Sequence, residues 1–383
     1  MTTHSSRSGL IDSSLVEDMF CLNDDIYFLN HSVGKMPRST ETIIKSSYLQ
    51  PWQTSEGDPW PQWLTVIDKF RQALARLFSA NAEDFCPQTN ISSGLSKLLA
   101  SLPLDKSRKT LLYSENDFPS IGFVMEQARR MGFETRCLPA DLNTLDINLW
   151  EQHLHQDLAA VLIAHSHFNT SKLTPASDIC QLARDRGIFS VVDVAQSAGV
   201  VPIDLQQLGA DAILGSSVKW LCGGSGAGFM WIAPDKVESL KPLDVGWFSH
   251  RDPFEFDIHH FDYHQSALRF WGGTPSILPY AVAANSIEII EKIGVAKIRQ
   301  HNSALTQRLI EKLNDHTLNT PKDTTKRGGT LVLDLNTHHR DRILQDLENA
   351  KVRFDQRTLG IRLSPHIYNT IDQIDLVAEI LNS

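Results

Sequence analysis

Cysteine is scarce in this chain, and its cysteines are scattered. Five occur among 383 residues, at positions 21, 86, 137, 180 and 222, with no close pair and no CxxC motif. An odd and scattered set builds neither a disulfide framework nor a zinc ribbon. The composition therefore predicts reduced thiols and a cytoplasmic location.

Long apolar runs and an excess of basic residues are also missing. The longest apolar stretches, such as 159–164, fall far short of the roughly 18 residues that span a bilayer. The polar opening of the chain lacks the apolar stretch of a signal peptide. The net charge is −9, from 36 Lys and Arg against 45 Asp and Glu, which argues against a nucleic-acid groove or an anionic membrane surface. We therefore expect no nucleic-acid partner and no membrane association.

What the sequence does contain is a regular alternation of apolar strands and amphipathic helices. Candidate strands lie at 110–113, 159–164, 188–192, 212–215 and 228–232. Apolar strands that are separated by helices are typical of a largely parallel sheet covered on both faces. After a turn-rich stretch at 251–276, a long helical segment at 278–318 leads to a strand at 330–335 and a helix at 340–350, which indicates a second unit.

The pattern predicts an α/β fold with two domains. We assign residues 1–30 to an N-terminal arm that packs with the small domain. Residues 31–265 form the large, mostly parallel domain in this prediction, and residues 266–383 form a smaller α+β C-terminal domain.

Two ionisable residues follow successive apolar strands. Asp193 comes directly after 188–192, where a desolvated carboxylate is costly unless a partner compensates it. Taken alone, such an Asp is better explained as the cap of the next helix. Lys219 follows 212–215 and precedes the glycine-rich turn at 223–228. Burial lowers the pKa of such a lysine and makes it a candidate Schiff-base former. Ligands bind beyond the carboxyl ends of parallel strands, so we expect both side chains at one site.

An acid after one strand and a lysine after the next have a joint explanation. Pyridoxal phosphate needs a lysine for covalent attachment and a carboxylate that keeps its pyridine nitrogen protonated. It also needs a phosphate cradle, and helix N-termini commonly provide one. The segment TNISSGL at 89–95 offers hydroxyl groups at the start of an apolar helix. The sequence therefore predicts pyridoxal 5'-phosphate as the cofactor.

A histidine pair supports a different hypothesis. His165 and His167 form an HxH motif directly after the strand 159–164. Because HxH at a strand end is a known metal-ligand arrangement, a zinc hydrolase is a distant alternative. The other interpretation, ordinary polar histidines, is the one that we adopt, and we expect no metal.

Several motifs together resemble the class V aminotransferase superfamily of fold type I pyridoxal-phosphate enzymes, over nearly the whole chain. They are NHSVG at 30–34, DVAQSAG at 193–199, SVK at 217–219, GGTP at 272–275 and GIRLSPHIYNT at 360–370. Three further motifs are most similar to kynureninases, namely SENDFPS at 114–120, GWFSH at 246–250 and RFWGGTP at 269–275. The motif NTS at 169–171 resembles the selenocysteine lyase and isopenicillin N epimerase branches instead. The resemblance implies a mostly parallel large-domain sheet of the seven-stranded type and a homodimer.

The resemblance also implies a role for each matched residue. Lys219 binds the cofactor and moves protons, and Asp193 pairs with the pyridine nitrogen. The other implied cofactor contacts are Phe118 on the ring, Gln196 and Asn169 on the phenolic oxygen, and Asn90, Ser92, Ser217 and a second subunit's Thr274 on the phosphate. The implied substrate contacts are Arg362, as a bidentate clamp for the substrate carboxylate, with Trp247, Asn30 and His31.

Some positions depart from the kynureninase pattern. Val218 stands where kynureninases usually have tyrosine, Gln196 where they usually have histidine, and Ile121 where they usually have an acidic residue. No cysteine follows Cys222, so the persulfide chemistry of cysteine desulfurases is not expected. We expect an enzyme that cleaves the side chain of a small α-amino acid, as a kynureninase-like Cβ–Cγ hydrolase or a C–S lyase. A class V aminotransferase or an amino-acid epimerase is the alternative.

Overall fold

The computed structural model describes residues 10–383 except 55, 106, 315, 336 and 337. Residues 1–9 of the predicted N-terminal arm therefore lie outside the described residues. The strands are β1 (Ile26–Tyr27), β2 (Phe85–Gln88), β3 (Thr110–Ser114), β4 (Glu134–Leu138), β5 (Leu158–Ala164), β6 (Phe189–Asp193), β7 (Ala212–Ser216), β8 (Gly228–Ile232), β9 (Thr317–Leu318), β10 (Leu331–Asp334), β11 (Val352–Arg353), β12 (Asp355–Arg357) and β13 (Gly360–Leu363).

The α-helices are α1 (Ser13–Glu17), α2 (Thr40–Ile44), α3 (Gln50–Thr54), α4 (Trp60–Phe78), α5 (Ile91–Ser101), α6 (Pro119–Ala128), α7 (Ile147–His153), α8 (Ala176–Asp185), α9 (Leu205–Leu208), α10 (Leu278–Ile293), α11 (Val295–Lys312), α12 (Arg340–Asn349) and α13 (Ile371–Leu381). A π-helical turn, Lys45–Leu49, joins α2 to α3. Short 3₁₀ turns include Trp247–Ser249 and Ala267–Phe270.

Seven strands form the large sheet in the order β2-β8-β7-β6-β5-β3-β4. The five strands from β7 to β4 in this order are parallel, whereas β8 is antiparallel to β7 and β2 is antiparallel to β8. Residues 217–227 connect β7 to β8 without a helix, and a parallel pair needs a crossover of about a dozen or more residues, usually a helix. The α/β fold with a mostly parallel sheet is confirmed.

Both faces of the large sheet are covered, which explains its unbroken apolar strands. On β5, Val161 and Ile163 point into one core, and Leu162 points into the other. Helices α4, α8 and α10 contribute to the first core through residues such as Phe70, Ile179 and Ile287. Helices α5 and α6 cover the opposite face.

A second, smaller sheet has the antiparallel order β12-β13-β10-β9. Its core includes Leu305 of α11 and Ile343 of α12. The strand β1 pairs in parallel with β11, and Ile26 and Phe28 are buried in this same core. The N-terminal segment is thus packed with the small sheet.

The helical segment predicted at 278–318 is two helices and not one. Gly294 interrupts it with φ +92°, a conformation that favours glycine. Helix α10 packs on the large sheet through Ile287, and α11 packs on the small sheet through Leu305. The domain boundary at 265/266 stays a prediction.

The small sheet and the N-terminal segment cover the edge where the parallel strands end. Leu29 forms a bridge with Ser364 just after β13, and the Gly34 amide donates to the Val218 carbonyl at 2.8 Å. A Cβ on Gly34 would lie 2.3 Å from the Lys219 carbonyl oxygen, so only glycine fits this contact without a shift. Across the part of the chain that the structure describes, no helix has the length and apolarity to cross a membrane.

Candidate active site

A cavity of about 400 Å³ lies at the carboxyl ends of the parallel strands, beneath the small sheet. Eight of the sequence-predicted site residues line it: His31, Asn90, Ser92, Phe118, Asp193, Gln196, Lys219 and Arg362. A larger groove between α1 and α10 is lined mainly by aliphatic side chains and contains none of them. The convergence of titratable and polar groups assigns the functional site to the smaller cavity.

Lys219 and Asp193 both line this cavity, and each side chain is only partly exposed. Burial lowers the pKa of Lys219 and raises the pKa of Asp193, while their mutual attraction opposes both shifts. Asp193 Oδ1 accepts the Ala195 N–H at 2.8 Å. Among the described residues, Lys219 Nζ has no hydrogen-bond partner. A lowered pKa increases the share of the neutral amine, which is the nucleophilic form of a lysine.

The N-terminus of α5 opens onto the cavity. The Asn90 side chain accepts the Ser93 N–H at 2.8 Å and caps the helix, and Ile91 and Ser92 line the cavity beside it. Free backbone N–H groups at a helix N-terminus bind phosphate. The helix expected after the segment 89–95 begins within it, at Ile91, so its first turn is part of the site.

Phe118 offers a flat apolar surface near the lysine. Its ring centroid lies 5.7 Å from Lys219 Nζ, and it packs edge to face against Phe168 with centroids 5.3 Å apart. Half of its surface is exposed, which is unusual for a phenylalanine and leaves the ring available to a planar ligand.

Arg362 is held by an acidic partner that the sequence analysis did not name. Its Nε donates to Asp355 Oδ1 at 2.7 Å, and its Nη2 donates to Asp355 Oδ2. Its Nη1 donates to the Phe168 carbonyl at 2.9 Å. Asp355 also contacts His31 Nε2 at 3.0 Å, while His31 Nδ1 lies 2.6 Å from Ser364 Oγ. Contacts with Arg362 and His31 keep the pKa of Asp355 far below its usual value.

These contacts decide which edge of the guanidinium can bind a substrate. Arginine has five N–H donors, and three are used by Asp355 and Phe168. One donor on Nη1 and one on Nη2 remain. The bidentate clamp implied for Arg362 therefore has its end-on edge for a carboxylate, and its Nε edge belongs to Asp355.

Five predicted site residues are not among those that line this cavity in the single chain: Asn30, Asn169, Ser217, Trp247 and Thr274. Trp247 packs against Trp60, Phe248 and Phe256, so its surroundings here are an aromatic cluster. Thr274 is exposed and its Oγ1 accepts the Trp247 indole N–H at 3.3 Å. The predicted contact of Thr274 with a neighbouring subunit's site stays a prediction.

The remaining predicted residues make contacts within the protein. Asn30 Nδ2 donates to the Ser364 carbonyl at 2.8 Å, and its Oδ1 accepts the Tyr368 hydroxyl. Ser217 Oγ donates to the Ala227 carbonyl at 2.7 Å. Gln196 lines the cavity, but its Nε2 donates to the His31 carbonyl at 3.1 Å. Asn30 and Ser217 therefore support the site walls in this structure.

Ser166, Phe168 and Arg357 line the cavity and were not predicted as site residues, and neither was Asp355, the partner of Arg362. The hairpin of β12 and β13 places Asp355 directly opposite Arg362. The signal that could have found this pair is the D-x-R-T-L-G-I-R segment at 355–362, where a turn before Gly360 brings opposite charges together across two strands.

The histidines of the zinc alternative have separate partners. His165 Nδ1 lies 2.9 Å from Ser197 Oγ, and His167 Nε2 lies 3.3 Å from Thr144 Oγ1. Burial lowers the pKa of each to about 4. Neither belongs to a converging group of three metal-binding side chains among the described residues. The geometry therefore supports the ordinary polar role.

The cavity fits pyridoxal 5'-phosphate. Asp193 accepts one hydrogen bond within the protein, from the Ala195 N–H, which leaves its second carboxylate oxygen for a protonated pyridine nitrogen. The buried Asn169 Oδ1 and Ser166 Oγ have no hydrogen-bond partner within the described residues, as expected of groups that await a polar ligand. The amine, the carboxylate and the helix N-terminus supply the remaining contacts.

Comparison with known proteins agrees with this chemistry. The kynureninase of Deinococcus radiodurans is 27% identical over 354 residues, which cover 88% of this chain and 84% of that protein. The isopenicillin N epimerase of Streptomyces clavuligerus is 26% identical over 342 residues, covering 82% and 83% respectively. The apo structure of a cysteine desulfurase from Thermococcus onnurineus NA1 has the same fold, with a TM-score of 0.85 at 19% identity and 97% of each chain covered.

A family model described as aminotransferase class-V matches residues 62–377. This match includes strands β2 to β13, the cavity residues of the large sheet and Arg362. The resemblance inferred from the motifs is thereby confirmed. This chain belongs to the class-V aminotransferase family and is an enzyme that depends on pyridoxal 5'-phosphate.

Proposed function

We propose that this enzyme cleaves the side chain of a small α-amino acid, by kynureninase-like Cβ–Cγ hydrolysis or by elimination at a C–S bond. The observation that carries the proposal is the position of Lys219 and Arg362 in one cavity with an apolar wall. An amine and a carboxylate-binding guanidinium bracket the space where an α-amino acid fits.

The cavity has a separate surface for each part of such a substrate. The two unused N–H donors of Arg362 suit the α-carboxylate. Ile91, Phe118, Ile121 and Phe168 form an apolar wall for the side chain. The binding free energy becomes more favourable with the apolar area that the substrate buries. This wall therefore favours an amino acid with a sizeable side chain over alanine or glycine.

Lys219 and Asp193 have different roles in proton transfer in this proposal. Burial favours the unprotonated form of Lys219, so Nζ is the group that takes a proton from the substrate α-carbon and returns one later. Asp193 holds a proton in place at the pyridine nitrogen of the cofactor. When bound, pyridoxal phosphate supplies an electron sink for the carbon that loses the proton. The small sheet contributes Arg357 and Arg362 to the cavity wall, and the N-terminal segment contributes His31.

The cysteines do not support transfer of a persulfide. No cysteine lines the cavity within the described part of the chain. Cys222 is the last cysteine in the sequence, and burial raises its pKa to about 12. A thiol in that state is a poor nucleophile. The fragment that is cleaved from the substrate side chain is therefore released directly, without transfer to a cysteine of the enzyme.

A product screen tests the proposal. The purified, cofactor-loaded enzyme is incubated separately with kynurenine, cysteine, cystine and cysteine sulfinate. Alanine with anthranilate from kynurenine supports the hydrolase, and pyruvate with sulfide from cysteine supports the C–S lyase. Exchange of the amino group with a keto acid, or inversion at the α-carbon, with no loss of the side chain, contradicts the proposal and supports an aminotransferase or an epimerase.

Two further proposals concern the assembly and the location. We propose a homodimer in which the exposed Thr274 contacts the cofactor phosphate in the partner's site. Light scattering at twice the chain mass, with weaker cofactor binding in Thr274→Ala, supports this; a monomer with full activity contradicts it. The cytoplasmic location expected from the reduced cysteines is tested by cell fractionation.

A further inference from the structure

The turn-rich segment after Trp247 forms a closed loop, here called the 251–262 loop. Its base is fixed by the bridge between His250 and Tyr263. The Arg251 amide donates to the Asp262 carbonyl at 2.9 Å, beside that bridge. Within the loop, the exposed side chains include Phe256 and Ile258. A loop of this composition has little core of its own to hold it in place.

Three side chains of metal-binding type converge inside the loop. They are His250, Glu255 and His260, and their ligand atoms all lie within 4.8 Å of one another. His250 Nε2 is 3.8 Å from Glu255 Oε2, and His260 Nδ1 is 2.5 Å from Glu255 Oε1. Donor atoms that share one ion at about 2.0–2.2 Å lie roughly 3–4 Å apart, so small side-chain movements complete the geometry.

An unpaired nitrogen points to a missing ligand at this place. His250 is only 7% exposed, and its Nε2 has no hydrogen-bond partner within the described residues. Its Nδ1 lies 2.7 Å from the Asp252 carbonyl oxygen and 2.9 Å from the Asp252 amide nitrogen. In the tautomer whose Nδ1 donates to the carbonyl oxygen, Nε2 carries the lone pair that a metal ion needs. A backbone carbonyl is a common second partner of a metal-binding histidine.

We propose that His250, Glu255 and His260 bind a divalent transition-metal ion of the zinc class. Two imidazole nitrogens and one carboxylate suit such an ion, whereas calcium and magnesium prefer oxygen ligands throughout. Three protein ligands leave a further coordination position for water. None of the three residues lines the cofactor cavity, so this site is separate from the proposed catalysis.

The ion holds the 251–262 loop in place. It links His250 at the base of the loop to Glu255 and His260 within it. The loop packs on Trp247, whose ring centroid lies 5.7 Å from that of Phe254 and 6.0 Å from that of Phe256. A fixed loop therefore also fixes the position of Trp247.

The experiment measures zinc and cobalt binding to the cofactor-loaded enzyme. The wild-type chain is expected to bind one equivalent, and Co²⁺ to give a visible spectrum typical of coordination by protein ligands. Loss of a partner outside the coordination sphere weakens metal binding about 10–100-fold, so Glu255→Gln and His260→Ala should each weaken it by at least that factor. Both residues are exposed, which makes these variants compatible with folding.

His259→Ala is the matched control, because His259 is exposed and adjacent in sequence but is not part of the converging group. It should bind zinc as the wild type does. Zinc should also slow chymotrypsin cleavage after Phe254 and Phe256 in the wild type and in His259→Ala, but not in Glu255→Gln. Absence of a saturable equivalent in the wild type, or equal affinity in His260→Ala and His259→Ala, overturns the proposal.

Discussion

Asp355 accepts hydrogen bonds from both Nε and Nη2 of Arg362, directly across the β12–β13 hairpin. The carboxylate thereby orients the guanidinium. Together with the Phe168 carbonyl, which accepts from Nη1, it leaves one N–H unused on each terminal nitrogen. The same carboxylate contacts His31 at 3.0 Å, so the N-terminal segment and the small sheet are joined at this point. The position of one arginine depends on three separate parts of the chain.

Arg362→Lys is expected to raise KM for the amino-acid substrate by about 10–100-fold, because a hydrogen bond to a charged group contributes about 1.5–3 kcal/mol. Lysine keeps the charge but cannot present two parallel donors. Steady-state kinetics measure the change, and kcat should change less than KM. An unchanged KM contradicts the role of Arg362 as the carboxylate clamp.

Asp355→Asn is expected to raise KM as well, by a smaller factor, since it loosens Arg362 without removing it. The matched control is Asp25→Asn, which removes the partner of Arg353 on the neighbouring strand β11. That control should leave KM and kcat unchanged. Equal kinetic effects of the two substitutions refute a positioning role for Asp355.

Asp193→Asn is expected to lower kcat by about 10²–10⁴-fold, the range typical of a positioned proton-holding group. The free energy of unfolding of the cofactor-free protein should not fall, because the substitution removes a buried carboxylate with few partners. Turnover assays and urea unfolding together separate the two effects. Near-normal turnover, or a loss of activity that only follows unfolding, argues against the electron-sink role.

Gly34→Ala is expected to destabilise the protein by about 1–3 kcal/mol, since its Cβ would meet the Lys219 carbonyl oxygen at 2.3 Å and Cys222 Sγ at 2.6 Å. The control is Gly122→Ala in α6, where the nearest atom would lie at 3.8 Å and alanine favours the helix. Urea unfolding measures both. Equal stability of the two variants contradicts the close contact of Gly34 with the lysine segment.

The stability of the fold is expected to decrease below about pH 6.5. Burial lowers the pKa of His165, His167 and His366 to about 4 from an ordinary value of 6.5. Between these values the unfolded chain binds protons that the folded chain does not, so the unfolding free energy is full above pH 6.5 and falls as the pH approaches 4. His366→Gln removes one of these titrating groups. The dependence of the unfolding free energy on pH should therefore become less steep by about 1.4 kcal/mol per pH unit. Identical slopes in both proteins contradict the prediction.

The local part of the site could be predicted from the sequence. Asp193 is the last residue of the apolar strand β6 and Lys219 follows β7, and parallel strands bring such ends to one edge of a sheet. Asn90 could be placed at a helix start from its residue type alone. The antiparallel direction of β8 could also have been expected, because residues 217–227 are too short for a helical crossover.

The long-range contacts could not be predicted in the same way. Asn30 is as polar as Asn90, but its side chain is bound to Ser364 and Tyr368, more than 300 positions away in the chain. The residue type of Trp247 is compatible with core packing and with substrate contact. Only the tertiary structure shows that it packs in an aromatic cluster. Such contacts depend on how the N-terminal segment and the small sheet meet the large one.

The most direct test of the central claim is to find the lysine that carries the cofactor. The loaded enzyme is reduced with sodium borohydride, digested and analysed by mass spectrometry. The structure predicts the reduced cofactor on Lys219 alone, with loss of the visible absorbance band in Lys219→Ala. Label on another lysine, such as Lys97, or a chain that takes up no cofactor, contradicts the account.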